Sequence, residues 1–248
     1  MLHFSKFYNL PKNQYYLRKK NYKKVKKIFI DDQYWNLTNH YDPDGRQRNL
    51  FDERKKKIND LKSEILFIKK KMSLKKTPSI IDLGSGFGYF LSAFPKSWNK
   101  IGVEISKNLN IYSSKHGNIY NFDLEKKIPN IGKFDVIFSY HVIEHMQKPE
   151  MLLKNILSLA KKNSYIILGT PNFDSGCSRL FKNKYRMYHD QTHVSFFSDI
   201  SLYTMLNDFG FKILYVDYPY FETSHFNKKN LLKMMNVKAK VSPPFYGN

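Results

Sequence analysis

The stretch SIIDLGSGFGYF, residues 79–90, gives the most direct prediction of the fold. A short apolar run that ends at Asp82 has the length of a buried β-strand. Gly84, Gly86 and Gly88 follow it, and glycines let a backbone turn tightly and approach a ligand because no Cβ stands in the way. The third glycine position of a dinucleotide fingerprint is occupied by Tyr89. The stretch therefore predicts a buried strand followed by a ligand-binding turn that differs from the dinucleotide-binding fingerprint.

Outward from this turn, apolar runs of strand length alternate with segments of helical periodicity. Such alternation predicts an α/β fold with a doubly wound, mostly parallel sheet and right-handed crossovers. The predicted strands are 79–83, 100–105, 119–123, 133–140, 164–170 and 211–218; the predicted helices are one that ends before Pro95, then 107–116, 149–161 and 199–209.

Composition divides the chain into three regions. Residues 1–76 are basic and aromatic, and we expect a helical extension or lid there, with an amphipathic helix over about 50–72. Residues 77–222 hold the predicted α/β core. The remaining residues, 223–248, begin with a segment of helical pattern, 223–236.

The net charge of +21 is concentrated near the N-terminus, where residues 1–78 hold 21 Lys/Arg and 8 Asp/Glu. Clustered cations bind phosphates by releasing counterions, which admits nucleic acid or an anionic membrane surface as a partner. However, 36 of the 42 basic residues are lysine, as an AT-rich coding sequence would produce, and solvated lysines are ordinary. We expect no stable nucleic-acid partner. Contact between the basic residues 1–78 and an anionic membrane surface remains an alternative.

Cysteine usage and hydropathy set further bounds. The single cysteine, Cys177, excludes an internal disulfide and a cysteine-cluster metal site. No apolar run has the length of a membrane span, and the first 20 residues lack the pattern of a signal peptide. We expect a cytoplasmic protein; the sequence does not indicate its oligomeric state.

Acidic residues stand at the ends of three successive predicted strands: Asp82, Glu104 and Asp123. The carboxyl ends of parallel strands meet at one edge of the sheet, where ligands bind. An acid at the end of the second strand, here Glu104, can accept hydrogen bonds from both ribose hydroxyls. Asp123 is placed to reach an adenine amino group. The pattern predicts an adenosine-containing ligand at this edge.

These motifs resemble the class I S-adenosylmethionine-dependent methyltransferases over about residues 30–220. IDLGSGFGYF is similar to the first motif of that superfamily, GVEIS to its ribose-binding strand end and NFDLE to its adenine-contacting segment. FDVIFSYHVIEHMQKP resembles the segment after the fourth strand in ubiquinone-type O-methyltransferases. ILGTPN and HDQTHVSFFS resemble the bacterial branch that includes sugar and surface-polysaccharide methyltransferases.

The resemblance implies S-adenosylmethionine as the cofactor and S-adenosylhomocysteine as its product. Asp82, Gly84 and Gly86 would hold the methionine end, and Tyr140 would lie near the sulfonium. The full set of implied cofactor-binding residues is Asp82, Gly84, Ser85, Gly86, Glu104, Ile105, Asp123, Leu124 and Tyr140. The fold implied by the resemblance has a seventh strand, so we expect that the final strand is missing or cut short here.

His141, Glu144 and His145 form an H-x-x-E-H pattern. A zinc peptidase would need this pattern within a long helix, whereas here it follows a buried strand. Some of the ubiquinone-pathway proteins that this segment resembles have a carboxylate at the position of His141, where it helps to bind a divalent cation. Histidine is a poorer ligand for Mg²⁺, which prefers oxygen, so we expect no metal here. An imidazole with a pKa of about 6.5 suits a general base, and we expect His145, oriented by Glu144, in that role. The alternative is that the pair only caps the turn.

A second histidine pair, His189 and His193, follows the fifth predicted strand, where loops shape binding pockets. Either could be the base or could bind a polar substrate; the alternative is a pair of solvent-facing loop histidines. The sequence as a whole predicts an O-methyltransferase that acts on a small polar hydroxylated acceptor, a sugar or sugar nucleotide of surface-polysaccharide biosynthesis. The first alternative is a quinone or lipid precursor as the acceptor. The second alternative is an RNA methyltransferase or an RNA-binding relative.

Overall fold

The computed structural model describes residues 5–19, 25–30, 40–41, 47–49, 58, 65–66, 69–70, 72, 77–218 and 227–235. The chain forms two compact units that interleave along the sequence. The sheet unit consists of residues 26–40 and 49–169, and the aromatic unit consists of residues 1–25, 41–48 and 170–248.

The elements, in chain order, are α1 (Ser5–Tyr8), β1 (Leu17–Arg18), α2 (Val25–Ile30), β2 (His40–Tyr41), β3 (Gln47–Arg48), β4 (Ile80–Leu83), α3 (Tyr89–Ser92), β5 (Lys100–Glu104), α4 (Lys107–Ser113), β6 (Asn118–Asn121), β7 (Phe134–Tyr140), a 3-10 helix (Ile143–His145), α5 (Pro149–Leu159), β8 (Ala160–Gly169), α6 (Gly176–Phe181), a second 3-10 helix (Lys182–Lys184), α7 (Arg186–His189), β9 (Ser195–Phe196), α8 (Asp199–Asp208) and α9 (Lys228–Met235).

The sheet unit is built on a five-stranded sheet with the order β6-β5-β4-β7-β8, in which every neighbouring pair is parallel. Every residue of the central strands β4 and β5 is buried, as expected for strands that are covered on both faces. Flanking helices connect the strands, and the predicted α/β fold with a mostly parallel sheet is confirmed.

Helix α5 shows why the sequence forms these flanking elements. Pro149 stands at its first turn, where a missing N–H costs nothing. Leu152, Leu153 and Ile156 recur at helical spacing and are fully buried, so the helix has one apolar face against the core. It ends at Leu159, two residues before the predicted end, because β8 begins at Ala160 rather than at residue 164.

The core beside β4 and β7 is largely aromatic. Phe90 and Phe138 stack with ring centroids 4.9 Å apart, and Phe94 packs against Phe138 at 5.5 Å. Ile65, Ile80 and Val136 belong to the same cluster, and all three are buried. Rings of this size contribute most of the apolar area that such a core removes from water.

At the amino ends of the strands, one network joins three elements of the sheet unit. Asp135 Oδ2 accepts hydrogen bonds from the backbone N–H and the hydroxyl of Ser79, at 2.9 and 2.8 Å. Lys161 donates to the same oxygen at 2.7 Å and to Ser79 Oγ at 2.8 Å. The network therefore ties the starts of β4 and β7 to β8.

The aromatic unit combines the N-terminal segment with the residues that follow β8. Strand β1 pairs antiparallel with β9, so that Leu17 lies opposite Phe196. A buried cluster is formed by Phe7, Phe173, Cys177, Phe181, Tyr185, Met187 and Phe196. Tyr8 donates a hydrogen bond to Asp174, and Tyr15 donates one to Asp208.

The prediction of a strand over 211–218 is wrong. These residues form no strand, and Leu214 and Tyr215 are 65% and 52% exposed. Tyr218 instead bonds through its hydroxyl to Asp199 and Tyr203 of α8. An alternating apolar pattern marks a possible strand, but pairing depends on a neighbouring strand, and these residues have no ladder partner in the described part of the chain.

Several predictions on the terminal regions fall mostly outside the described residues. Within the helix predicted over about 50–72, residues 58, 65–66 and 69–70 are helical, residue 72 lies in a bend, and the other residues lie outside the described ones. Helix α9 lies within the segment 223–236 that was predicted to be helical. The expectation of a missing final strand concerns residues that are not described. Among the described helices, none is long and apolar enough to cross a membrane.

Candidate active site

The glycine turn after β4 can be built only with glycine at its first position. Gly84 has a φ of +82°, in the left-handed region that favours glycine. A Cβ at this position would lie 2.3 Å from Cγ2 of Val142, far closer than real contacts. The N–H of Gly84 donates to the carbonyl oxygen of Val103 at 2.8 Å. The turn is therefore fixed closely between β5 and the segment after β7.

Glu104 ends β5 and is held by the same turn. Its Oε2 accepts a hydrogen bond from the N–H of Gly86 at 2.8 Å, and its Oε1 accepts one from the N–H of Ser106 at 2.9 Å. Only 6% of the residue is exposed. Each carboxylate oxygen has a further lone pair, so Glu104 can still accept hydrogen bonds from ligand hydroxyls.

Asp82, in β4 beside β5, is a buried acid whose two oxygens have no hydrogen-bond partner among the described residues. It is 1% exposed, and burial, with the negative charge of Glu104 second, raises its pKa to about 8. Buried polar groups are almost always paired, so an unpaired acid beside a glycine turn indicates a group that a ligand completes. The hydroxyl of Ser85 is also buried and unpaired, and it lies 2.7 Å from where a Cβ on Gly102 would stand.

A cleft of about 640 Å³ opens at the carboxyl ends of β5 and β6. The residues that line it include Ile30, Ile105, Asn108, Asn121, Asp123 and Lys126. Ile105 and Asp123 were predicted to bind the cofactor, whereas Ile30 carries no motif that would have indicated a role. The predicted Leu124 is buried, and its carbonyl oxygen accepts a hydrogen bond from Asn155.

Asp123 lies two residues beyond the end of β6 rather than at the end of the strand. Its Oδ1 accepts a hydrogen bond from the N–H of Glu125 at 3.0 Å, which stabilises the loop. The side-chain amide of Asn121 donates to the carbonyl oxygens of Glu104 and Ile105 at 2.9 and 2.8 Å. These bonds fix the loop against the end of β5, so Glu104 and Asp123 belong to one edge of the sheet.

Tyr140 is the last residue of β7. Its ring packs on Phe90 with centroids 4.8 Å apart and lies over Gly169, where a Cβ would come within 2.8 Å of the ring. The glycine therefore makes room for the aromatic side chain at the carboxyl end of β7.

Glu144 is completely buried between two histidines. Its Oε1 lies 3.1 Å from Nδ1 of His141 and 3.9 Å from Nε2 of His145. The side chain of His141 is 50% exposed, whereas that of His145 is 12% exposed and packs edge-on against Phe29 at 5.1 Å. Glu144 was expected to orient His145, but the shorter contact is with His141.

The backbone at His141 is unusual for a residue with a side chain. Its φ is +54°, and its N–H donates to the carbonyl oxygen of Gly169 at 2.9 Å. Left-handed conformations in residues other than glycine cost free energy and cluster at functional sites. The i,i+3 spacing of His141 and Glu144 was visible in the sequence, but the sharp turn that brings them together was not.

His189 and His193 belong to the aromatic unit. His193 is 5% exposed, and its Nδ1 lies 2.9 Å from the carbonyl oxygen of Met187. Because a carbonyl oxygen can only accept a hydrogen bond, Nδ1 is the donor. Its Nε2 lies 3.7 Å from a carboxylate oxygen of Asp190. Nε2 of His189 donates to the carbonyl oxygen of Asn183 at 2.7 Å. Both rings are thus oriented by backbone carbonyls, and His193 is not the solvent-facing loop residue of the alternative interpretation.

Comparison of the sequence with protein families matches residues 47–216 to a family described as "Methyltransferase domain". Two uncharacterised proteins of Methanocaldococcus jannaschii are similar to the chain. One is 29% identical over 190 residues, which make up 73% of this chain and 70% of the relative. The other is 26% identical over 133 residues, 53% of this chain and 63% of the relative, so the match spans less than two thirds of that protein.

Solved structures with a similar fold include magnesium protoporphyrin IX methyltransferase from Synechocystis PCC 6803 with bound S-adenosylhomocysteine. Its TM-score is 0.55 at 15% identity, over 79% of this chain and 92% of that chain. A plantazolicin methyltransferase gives 0.53 at 19% identity, over 89% and 92%. A possible histamine N-methyltransferase from Thermotoga maritima gives 0.50 at 19% identity, over 77% and 82%. At these identities the likeness concerns the fold.

The family match covers both units, from β3 to the segment after α8, and includes the glycine turn, Glu104, Asp123 and the His141–Glu144 pair. The chain therefore belongs to the methyltransferase-domain family, and the predicted enzyme class, an S-adenosylmethionine-dependent methyltransferase, is confirmed.

Proposed function

We propose that this methyltransferase acts on a hydroxyl oxygen of a small polar acceptor, a sugar or sugar nucleotide, and that its cofactor lies along the carboxyl ends of β4, β5 and β6. The observation that carries the cofactor assignment is the pair of buried acids. Asp82 has no partner among the described residues, and Glu104 is fixed by the N–H groups of Gly86 and Ser106. Such a site suits a ligand with both a cationic group and hydroxyls.

Each acid would have its own role toward the cofactor. Asp82 would pair with the cationic methionine end, which removes the cost of an unpaired buried acid. Glu104 would accept hydrogen bonds from the ribose hydroxyls, and Asp123 would accept one from the adenine amino group. Ile30 and Ile105 line the same cleft and offer apolar contact to the purine. When bound, S-adenosylmethionine supplies a methyl group activated by a sulfonium.

The assignment of oxygen as the acceptor atom rests on Glu144 and its histidines. A hydroxyl must lose its proton as the new C–O bond forms, and an imidazole is a suitable base near neutral pH. A buried carboxylate 3.1 Å from His141 holds that ring in one orientation, while half of the side chain stays exposed. We therefore assign proton removal to His141 with Glu144 as its partner, and His145 is the second candidate.

The first test of the function is calorimetric titration of S-adenosylhomocysteine into EDTA-treated protein. We expect one-to-one binding without added metal. Absence of both heat and thermal stabilisation would contradict the cofactor assignment. Glu144→Gln should bind S-adenosylhomocysteine with unchanged affinity, because Glu144 is assigned to the acceptor proton and not to the cofactor.

The second test follows transfer of a tritiated methyl group from S-adenosylmethionine to nucleotide-activated sugars, caffeic acid and bulk tRNA. We expect label in the sugar nucleotides. With the labelled acceptor, Glu144→Gln and His141→Ala should lower turnover by about 10²-fold or more, the usual contribution of a general base. His145→Ala is the matched comparison. Label in caffeic acid or tRNA instead would favour a quinone-type precursor or RNA as the acceptor.

A further inference from the structure

Two buried carboxyl groups lie near the carboxyl ends of the neighbouring strands β4 and β5. β4 and β5 pair in parallel, and Asp82 is aligned with Gly102, two residues before Glu104. The residues are 1% and 6% exposed. The charge of Glu104 acts on Asp82, and two buried carboxyl groups that interact cannot both ionise easily, because each disfavours the charge of the other.

The hydrogen bonds determine which of the two acids carries the negative charge. Glu104 accepts N–H donors at both oxygens, from Gly86 and Ser106, and such bonds stabilise a carboxylate. Asp82 receives no hydrogen bond in the described part of the chain. Ionisation is therefore favoured at Glu104 and disfavoured at Asp82.

The groups that face Asp82 from the neighbouring elements lead to the same assignment. From β5, Glu104 is the ionisable group that acts on it. On the other side, Asp82 is aligned with Phe138 of β7, which is apolar, and Ser139 follows with a buried hydroxyl. The glycine turn adds Ser85, which is neutral. No cation of the described residues is paired with Asp82.

We propose that the cofactor-free enzyme holds a proton on Asp82, and that binding of a ligand with an ammonium-bearing amino-acid end releases this proton to solvent. This inference rests on the proposed cofactor site. The carboxylate left on Asp82 pairs with the ammonium group, so a neutral acid becomes one half of an ion pair. Cofactor and product binding are consequently coupled to pH through this one residue.

The size of the effect follows from the environment of Asp82. Burial, and second the charge of Glu104, raise its pKa to about 8. At pH 7 a group with this pKa is about nine tenths protonated, and at pH 8 it is about half protonated. Proton release on binding should therefore be close to one per site at pH 6 to 7 and fall to about one half at pH 8.

The experiment is titration of S-adenosylhomocysteine at pH 7 in phosphate and in Tris, buffers with small and large ionisation enthalpies. The dependence of the observed heat on the buffer gives the number of protons released. We expect between about 0.5 and 1 proton per bound molecule in the wild type. Heats that do not depend on the buffer would overturn the inference while leaving the proposed cofactor site intact. Absence of binding would overturn both.

Two variants identify the source of the proton. Asp82→Asn, a neutral side chain of the same shape, should release no proton and bind about tenfold or more weakly. Asp123→Asn alters another acid of the site and should keep the proton release, even where it weakens binding. Equal proton release from Asp82→Asn and the wild type would assign the proton to another group and overturn the inference.

A second measurement needs no ligand. When folding raises the pKa of an acid, the contribution of that acid to stability is fully present at pH values below its pKa in the unfolded chain. The contribution is lost as the pH rises through its pKa in the folded state. Relative to Asp82→Asn, the unfolding constant of the wild type should rise about tenfold per pH unit between pH 5 and 7. Parallel pH profiles of the two proteins would overturn the inference even if the variant bound no S-adenosylhomocysteine.

Discussion

At the scale of single residues, Gly84 combines two constraints that any side chain would violate. Its φ is +82°, and a Cβ would lie 2.3 Å from Val142. We expect Gly84→Ala to lower the free energy of unfolding by about 2–4 kcal/mol, from backbone strain and overpacking together. The measurement is urea unfolding, alone and in the double variant with Val142→Ala.

The double variant separates the two causes. Val142→Ala should recover the part of the loss that comes from the steric overlap and leave the part that comes from the left-handed backbone. Gly176→Ala is the matched control, because a Cβ there meets nothing within 4 Å. A Gly84→Ala protein as stable as this control would contradict the tight turn.

Residues of the site differ in how far the sequence predicted them. Asp82 and Glu104 were predicted as site residues from the strand ends and the glycine spacing alone. The contact between His141 and Glu144 was not predicted, because it depends on a left-handed residue followed by a 3-10 turn at 143–145. Histidine adopts a positive φ more often than most residues with a side chain, but only a small fraction of histidines do so, and the sequence does not mark which ones.

At the scale of elements, the network of Ser79, Asp135 and Lys161 stabilises the starts of three strands. Burial alone would raise the pKa of Asp135, but hydrogen bonds from Lys161 and Ser79 outweigh it and hold this pKa well below its usual range. An acid whose pKa is lowered by folding stabilises the folded state at pH values above its pKa in the unfolded chain. This contribution is lost as the pH falls through its pKa in the folded state.

Asp135→Asn should therefore lower the free energy of unfolding by about 1–3 kcal/mol at pH 7, because the charged acceptor of three hydrogen bonds is lost. The difference from the wild type should shrink progressively below pH 4. Thermal or urea unfolding over pH 2–7 measures it, with Asp217→Asn as the control on an exposed acid. A difference that stays constant with pH would contradict the role of the charge.

The elements that were predicted well are those whose buried residues form a recognisable apolar pattern in the sequence. The apolar runs of β4 and β7 and the helical spacing of α5 are local signals, and these elements formed within two residues of the predicted bounds. β1 and β9 were not predicted. Each has two residues, and their pairing joins positions 17–18 and 195–196, a relation that periodicity cannot contain. The segment 211–218 has the reverse problem, since it carries the pattern of a strand without the pairing.

At the scale of the whole molecule, the formal charge of +21 predicts association with polyanions whether or not nucleic acid is the acceptor. We expect binding to single-stranded poly(U) at 50 mM salt to weaken by about 10²-fold or more at 300 mM, as counterion release requires. Fluorescence anisotropy measures this, and titration of S-adenosylhomocysteine at both salt concentrations is the internal control. RNA affinity that persists at 300 mM salt would revive RNA as the acceptor.

The pairing of β1 with β9 has a consequence for biosynthesis. The segment that includes β1 is synthesised before its partners, from Asp174 to Asp208, which emerge from the ribosome only after the whole sheet unit. At about 5–20 residues per second, the wait is roughly 10–40 s. During this interval Phe7, Tyr15 and Leu17 lack the neighbours that bury them in the finished protein. The segment that includes β1 therefore keeps these apolar side chains exposed until synthesis has passed α8.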